Sequence, residues 1–93
     1  MTTRDVVFRD RYGLHPRAAR RIQEHLAGVD AKVTFENLDA GGARIDAAGM
    51  LSLISSGIRA GDRVRITAEG ADADAVVASL GDLLEAGVCH PPT

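Results

Sequence analysis

With 93 residues, the chain is long enough for one small domain with a single core and too short for two. Apolar residues make up 45% of the chain and aromatic residues only 3%, so we expect a folded protein with an aliphatic core. The formal net charge of -2 gives no electrostatic reason for nucleic-acid binding.

Cysteine usage and the lack of a long apolar segment bear on the compartment. Cys89 is the single cysteine, so no disulfide can form within the chain. We find no signal sequence and no apolar run long enough to span a bilayer. These features predict a cytoplasmic protein without membrane insertion. Residues 1–88 are predicted to form the domain, and residues 89–93 a short disordered tail.

The first third of the chain predicts a strand, a turn and an amphipathic helix. Val6 and Phe8 alternate with polar neighbours, which is typical of a short strand over about residues 4–9. From residue 16 to about residue 26, apolar side chains recur at the spacing of one helical face, and Gly28 is well placed to end the helix. The apolar face consists of Ala18, Ala19, Ile22, Leu26 and Val29.

After the first helix, the sequence predicts three strands and two helices. They are strands over about residues 31–36, 43–46 and 63–68, a turn at Gly41-Gly42, a short helix within residues 46–56, and a last helix that starts after Gly70 and runs to about Glu85. Alternating strands, a hairpin and amphipathic helices favour a four-stranded antiparallel sheet with helices on one face. The predicted fold class is therefore α+β, a two-layer open-faced sandwich in the order βαββαβα.

His15 lies where the first turn meets the first helix. Pro16 suits the first helical position, because its missing amide hydrogen would have no partner there, and His15 is then the N-cap. A neutral imidazole is a nucleophile, and free backbone amides at a helix N-terminus together with the Arg17 guanidinium can bind phosphoryl oxygens. The same pattern also fits a histidine that only caps a helix.

The residues around His15 resemble a known active-site segment. Residues 13–19 read Gly-Leu-His-Pro-Arg-Ala-Ala, which is similar to Gly-Leu-His-Ala-Arg-Pro-Ala in the histidine-containing phosphocarrier proteins (HPr). The proline alone is displaced, from the position of Ala18 to that of Pro16. Residues 46–58 with Gly61 resemble the second signature of this family, and residues 69–72 resemble its turn before the last helix.

The resemblance to HPr implies a function for His15. It would accept a phosphoryl group, derived from phosphoenolpyruvate, from enzyme I and pass it to enzyme IIA domains for sugar uptake, while Arg17 stabilises the phosphoryl group. The protein would then be a covalent carrier and not an enzyme, with no cofactor and no metal. Gly49 stands where many relatives have a regulatory serine, so we predict no regulatory serine in this chain.

The short helix carries more apolar residues than one inner face needs. We predict Leu53 and Ile58 in the core and Met50 and Leu51 on an exposed edge. The predicted partner-binding residues are Arg20, Met50, Leu51 and Ile54. Enzyme I and enzyme IIA would bind there transiently and in turn, and the carrier would be a monomer.

Two classes of function are open from the sequence. The first is the phosphocarrier, including carriers dedicated to dihydroxyacetone kinase or to nitrogen regulation. The second is a regulatory or protein-binding module on the same fold, in which His15 is only a helix cap. The adjacent Cys89 and His90 are too few to predict a metal site.

Overall fold

A computed structural model describes residues 1–39, 41 and 44–88. The elements, in chain order, are β1 (Thr2–Val7), α1 (Pro16–Leu26), β2 (Lys32–Asn37), β3 (Ile45–Asp46), α2 (Met50–Ser55), β4 (Arg63–Glu69) and α3 (Ala73–Ala86). This is the predicted βαββαβα order.

The four strands form one antiparallel sheet in the spatial order β1-β4-β2-β3. β4 pairs with β1 on one side, where Val6 lies opposite Val64, and with β2 on the other, where Phe35 lies opposite Ile66. Because side chains alternate between the two faces of a strand, these four apolar residues share one face. All four are buried.

The three helices cover that apolar face and complete the core. Buried helical residues are Ala18, Ala19 and Ile22 in α1, Leu53 in α2, and Ala73, Val76, Val77, Leu80, Gly81 and Leu84 in α3. The other face of the sheet carries charged side chains such as those of Asp5 and Arg65, which form a cross-strand ion pair. The predicted α+β, open-faced two-layer sandwich is confirmed.

The first helix has the predicted bounds, whereas several other boundaries differ. β1 lies two residues earlier than expected, because the backbone N–H groups of Phe8 and Arg9 donate to the carbonyls of Asp62 and Leu84 instead of to a neighbouring strand. The short helix begins only at Met50, because Asp46 still pairs with Thr34 in the sheet.

Some predictions fall outside the described residues. These are the part of the hairpin turn at Gly42, the start of the third strand at Ala43, and the tail of residues 89–93 with Cys89 and His90. Gly41 lies in the turn with φ of 67°. Across the described ranges, no helix combines the length and apolar character needed to cross a membrane.

Candidate functional site

A tight turn over residues 10–13 delivers the chain to His15. The Gly13 N–H donates to the Asp10 carbonyl at 3.0 Å, and the Tyr12 N–H donates to Oδ1 of Asp10 at 3.2 Å. Gly13 has φ of 74°, and a Cβ at this position would lie 3.0 Å from the Ile58 carbonyl oxygen. Only glycine fits this conformation and this close approach without strain. The turn is therefore held against the segment that follows α2.

His15 is the N-cap of α1, as predicted. Its backbone is extended, with φ of -91° and ψ of 172°, and its Nδ1 accepts a hydrogen bond from the Ala18 N–H at 3.4 Å. The other ring nitrogen, Nε2, is buried and lies 3.9 Å from Oδ1 of Asp10. The side chain is 24% exposed. The ring thus turns its Nδ1 edge toward the helix N-terminus and its Nε2 edge inward.

The first turn of α1 offers donors for an anion. Pro16 occupies the first helical position, and Arg17 follows with an exposed side chain. Neither the backbone N–H nor the guanidinium of Arg17 is bonded to another described residue. Both groups can therefore donate to phosphoryl oxygens beside His15.

The predicted partner-binding residues differ in exposure. Leu51 is 80% exposed and Ile54 is 39% exposed. Met50, which we expected on the exposed edge, is only partly exposed and packs against the core. Arg20 is exposed and forms an ion pair with Glu24 one helical turn later, with Nε 3.5 Å from Oε1. Leu53 and Ile58 are buried as predicted.

α2 and the His15 turn lie at the same end of the molecule. The Leu14 N–H donates to the Ile58 carbonyl at 3.0 Å, and Nε2 of Gln23 donates to the Ala48 carbonyl at 2.8 Å. These bonds tie α1 and its N-terminal turn to the segments on both sides of α2. Gly49, the N-cap of α2, has no hydroxyl, so this position offers no regulatory phosphorylation site.

Two residues beside His15 were not singled out from the sequence. Asp10 is completely buried, although aspartate is rarely buried in proteins. Tyr12 is 64% exposed, and the Arg11 guanidinium lies 5.9 Å from the centre of its ring. A signal for Asp10 was present, because aspartate favours the first position of a turn and glycine the last. No comparable signal marks Tyr12.

Comparison with known proteins shows the family to which this chain belongs. The model of the family described as "PTS HPr component phosphorylation site" matches residues 2–86. A phosphocarrier protein HPr of Haloferax volcanii is 36% identical over 72 residues, which cover 77% of this chain and 80% of that protein. The chain therefore belongs to the HPr phosphocarrier family of the phosphotransferase system.

Two further relatives bear on fold and length. A multiphosphoryl transfer protein of Escherichia coli O157:H7 is 30% identical over 84 residues, which cover 90% of this chain and 22% of that protein. The chain thus spans about a fifth of the length of that relative. The crystal structure of HPr-C-His from Thermoanaerobacter tengcongensis, 23% identical, superposes with a TM-score of 0.82 over 92% of this chain and 93% of that one. At that identity the likeness concerns the fold.

Proposed function

We propose that this protein carries phosphoryl groups on His15, taking each one from a phosphorylated enzyme I and giving it to an enzyme IIA domain. The observation that supports this most strongly is the placement of His15 at the N-terminus of α1, two residues before Arg17. The amide and guanidinium of Arg17 have no bonded partner among the described residues. A nucleophile and an anion-binding site thus lie in one helical turn. Membership of the HPr family supports the same role.

The burial of Nε2 supports Nδ1 of His15 as the accepting atom. Nε2 faces the interior, so Nδ1 is the nitrogen that an incoming phosphoryl group can reach. Its hydrogen bond from the Ala18 N–H is long, at 3.4 Å, and is readily given up. As the bond from Nδ1 to phosphorus forms, the bond from phosphorus to the donor breaks, and its electron pair leaves with the donor. Arg17 then stabilises the charge on the phosphoryl oxygens.

The partner-binding surface in this proposal consists of Leu51, Ile54, Met50 and Arg20. Leu51 and Ile54 of α2 are exposed at the end of the molecule that also presents His15, and Met50 is partly exposed beside them. Small exposed apolar patches with a charged rim suit weak, reversible docking, which a carrier with two successive partners requires. We expect the domain of residues 1–88 to act as a monomer in the cytoplasm, as a stoichiometric intermediate without turnover of its own.

Phosphorylation of His15 is the first expected outcome. Incubation with phosphoenolpyruvate and a matching enzyme I should add one phosphoryl group, measured as a single mass increment in the intact protein. The linkage should be labile to acid and stable to alkali, as phosphohistidine is. Labelling that persists in His15→Ala would refute the assignment of the acceptor residue.

A second candidate function has one observation in its favour. His15 does accept a hydrogen bond from the Ala18 N–H, so the residue could be retained as a helix cap in a protein-binding module. His15→Asn separates the two functions, because asparagine is a good N-cap but accepts no phosphoryl group in this transfer. If His15 is only a helix cap, His15→Asn should keep all partner binding, and the wild-type protein should never be phosphorylated.

A further inference from the structure

The loop before His15 contains a buried carboxylate that the phosphocarrier role has not yet used. Asp10 lies between β1 and α1, and its side chain is 0% exposed. Burial of a carboxylate costs free energy unless hydrogen bonds or an opposite charge compensate for it. The Tyr12 N–H donates to this carboxylate, and Nε2 of His15 lies beside the same oxygen atom.

Backbone hydrogen bonds determine where this carboxylate lies. Just before it, the Phe8 N–H donates to the Asp62 carbonyl at 2.8 Å and the Arg9 N–H donates to the Leu84 carbonyl at 3.1 Å. Just after it, the Gly13 and Tyr12 N–H groups donate to the backbone and side-chain oxygens of Asp10. Both flanks of Asp10 are therefore fixed, and Oδ1 is held 3.9 Å from Nε2 of His15.

We propose that Asp10 keeps the proton of His15 on Nε2 and stabilises the imidazolium that forms as Nδ1 takes up a phosphoryl group. A neutral imidazole carries one proton, and Nδ1 presents its lone pair to the Ala18 N–H. The proton therefore belongs on Nε2, the nitrogen that faces the carboxylate. At 3.9 Å the contact is electrostatic, about 1 Å longer than a hydrogen bond.

The stabilisation of the imidazolium by Asp10 rests on the proposed function. When the lone pair of Nδ1 bonds to phosphorus, the donor leaves with the electron pair of the broken bond and the proton stays on Nε2. The ring changes from neutral to positively charged. A carboxylate held beside Nε2 interacts more strongly with the charged ring than with the neutral one, so it lowers the barrier to transfer. Asp10 is thus a positioning residue that acts through His15 and does not touch the phosphoryl group.

Nitrogen-15 NMR of the imidazole ring directly tests whether Asp10 keeps the proton of His15 on Nε2. At alkaline pH, where an imidazole is neutral, the wild-type His15 should be mainly the form protonated on Nε2. Asp10→Asn removes the charge but keeps an oxygen to accept the Tyr12 N–H. In this variant the share of the Nε2-protonated form should fall, and phosphorylation of His15 by enzyme I should slow by about tenfold, the scale expected for loss of a contact to a charged group.

A matched control is available in a second turn of the same kind. Oδ1 of Asp46 accepts the Ala48 N–H at 2.9 Å, again two residues on, but at an exposed position. Asp46→Asn should leave both the tautomer ratio and the phosphorylation rate as in the wild type. If either quantity is unchanged in Asp10→Asn, the proposal is wrong.

The design separates this proposal from the function on which it rests. A wild-type protein that is never phosphorylated contradicts the phosphocarrier role, while the tautomer comparison still tests the Asp10 contact. If Asp10→Asn fails to fold, as checked by circular dichroism, the wild-type spectrum can still overturn the proposal: a wild-type ring protonated mainly on Nδ1 contradicts it.

Discussion

At the scale of single residues, the site combines one buried and one exposed ionic group around a histidine. Asp10 is fully buried beside Nε2 of the ring, and Arg17 lies exposed in the first turn of the helix. In the proposed function, phosphoryl transfer makes the ring positive and brings negative oxygens to the rim. Each charge would then be placed where the opposite charge develops, which is how preorganised sites lower barriers.

Arg17→Ala should slow phosphoryl transfer by about one to two orders of magnitude, because a guanidinium can donate two hydrogen bonds to a phosphoryl group and alanine none. The fold should be unaffected, since the side chain is exposed and has no bonded partner among the described residues. Stopped-flow or quench kinetics with enzyme I would measure the effect. Arg21→Ala, which removes another exposed arginine of the same helix, is the control. Equal rates in wild type and Arg17→Ala would mean that Arg17 is simply a solvated side chain.

At the scale of elements, α2 divides its apolar residues between the core and the surface. Leu53 is completely buried, whereas Leu51 and Ile54 are exposed. A helix of only six residues buries one stripe against the sheet, so apolar residues outside this stripe remain in solvent. Exposed leucine contributes little to folding, and the proposed docking of partners would account for the presence of Leu51.

Leu51→Glu should impair transfer from enzyme I and to enzyme IIA alike, because both partners would meet a charge on the shared apolar patch. Surface substitutions usually change stability by less than about 0.5 kcal/mol, so the melting temperature should shift by only about 2–4 °C. Ala75→Glu adds the same charge at an exposed position of α3 and should not affect transfer. Leu53→Ala, in contrast, should cost about 2–5 kcal/mol by leaving a cavity. A large loss of stability in Leu51→Glu would place this residue in the core.

Local sequence signals determine some bounds of these elements, and contacts between distant residues determine others. The bounds of α1 follow from local signals, since Pro16 and Gly28 mark its two ends. The start of α2 does not, because Asp46 belongs to a strand pair with Thr34 that only the folded sheet reveals. The burial of Asp10 is also unpredictable from its neighbours, because it depends on backbone hydrogen bonds to Asp62 and Leu84, far along the chain.

At the scale of the whole molecule, ion pairs brace the open face and the rim of the sheet. Oδ1 and Oδ2 of Asp5 accept from the Arg65 guanidinium at 2.8 and 3.1 Å, across the β1–β4 pair. Asp39, just after β2, accepts from the backbone and the guanidinium of Arg63. Hydrogen bonds from these arginines hold the pKa of each carboxyl below its ordinary value of 3.8.

Acid should weaken the fold through these two carboxyls. Because their pKa values are lower in the folded state, the unfolded chain binds more protons, and stability rises with pH in this range. Their contribution is present above about pH 4 and is lost as the pH falls through the folded-state pKa values. Urea unfolding from about pH 6 down to about pH 3 should therefore show a flatter pH dependence for Asp5→Asn with Asp39→Asn than for the wild type.

Asp30→Asn serves as the control for this pH dependence. Asp30 is exposed, and its side chain forms no ion pair within the described ranges. The wild-type slope should persist in this variant. A double variant with the same slope as the wild type would show that the two arginine pairs contribute nothing to acid sensitivity.

The position of β4 in the sheet has a consequence for how the chain is made. β4 is the last strand in sequence, yet it lies between β1 and β2, which do not pair with each other. During synthesis, β1 and β2 leave the ribosome with their apolar sides uncovered, because neither can pair with its main partner until residues 63–69 emerge. Contacts between distant parts of a chain form slowly, because long loops must close first. The nascent chain is therefore most prone to aggregation, and most in need of chaperones, just before β4 emerges and completes the sheet.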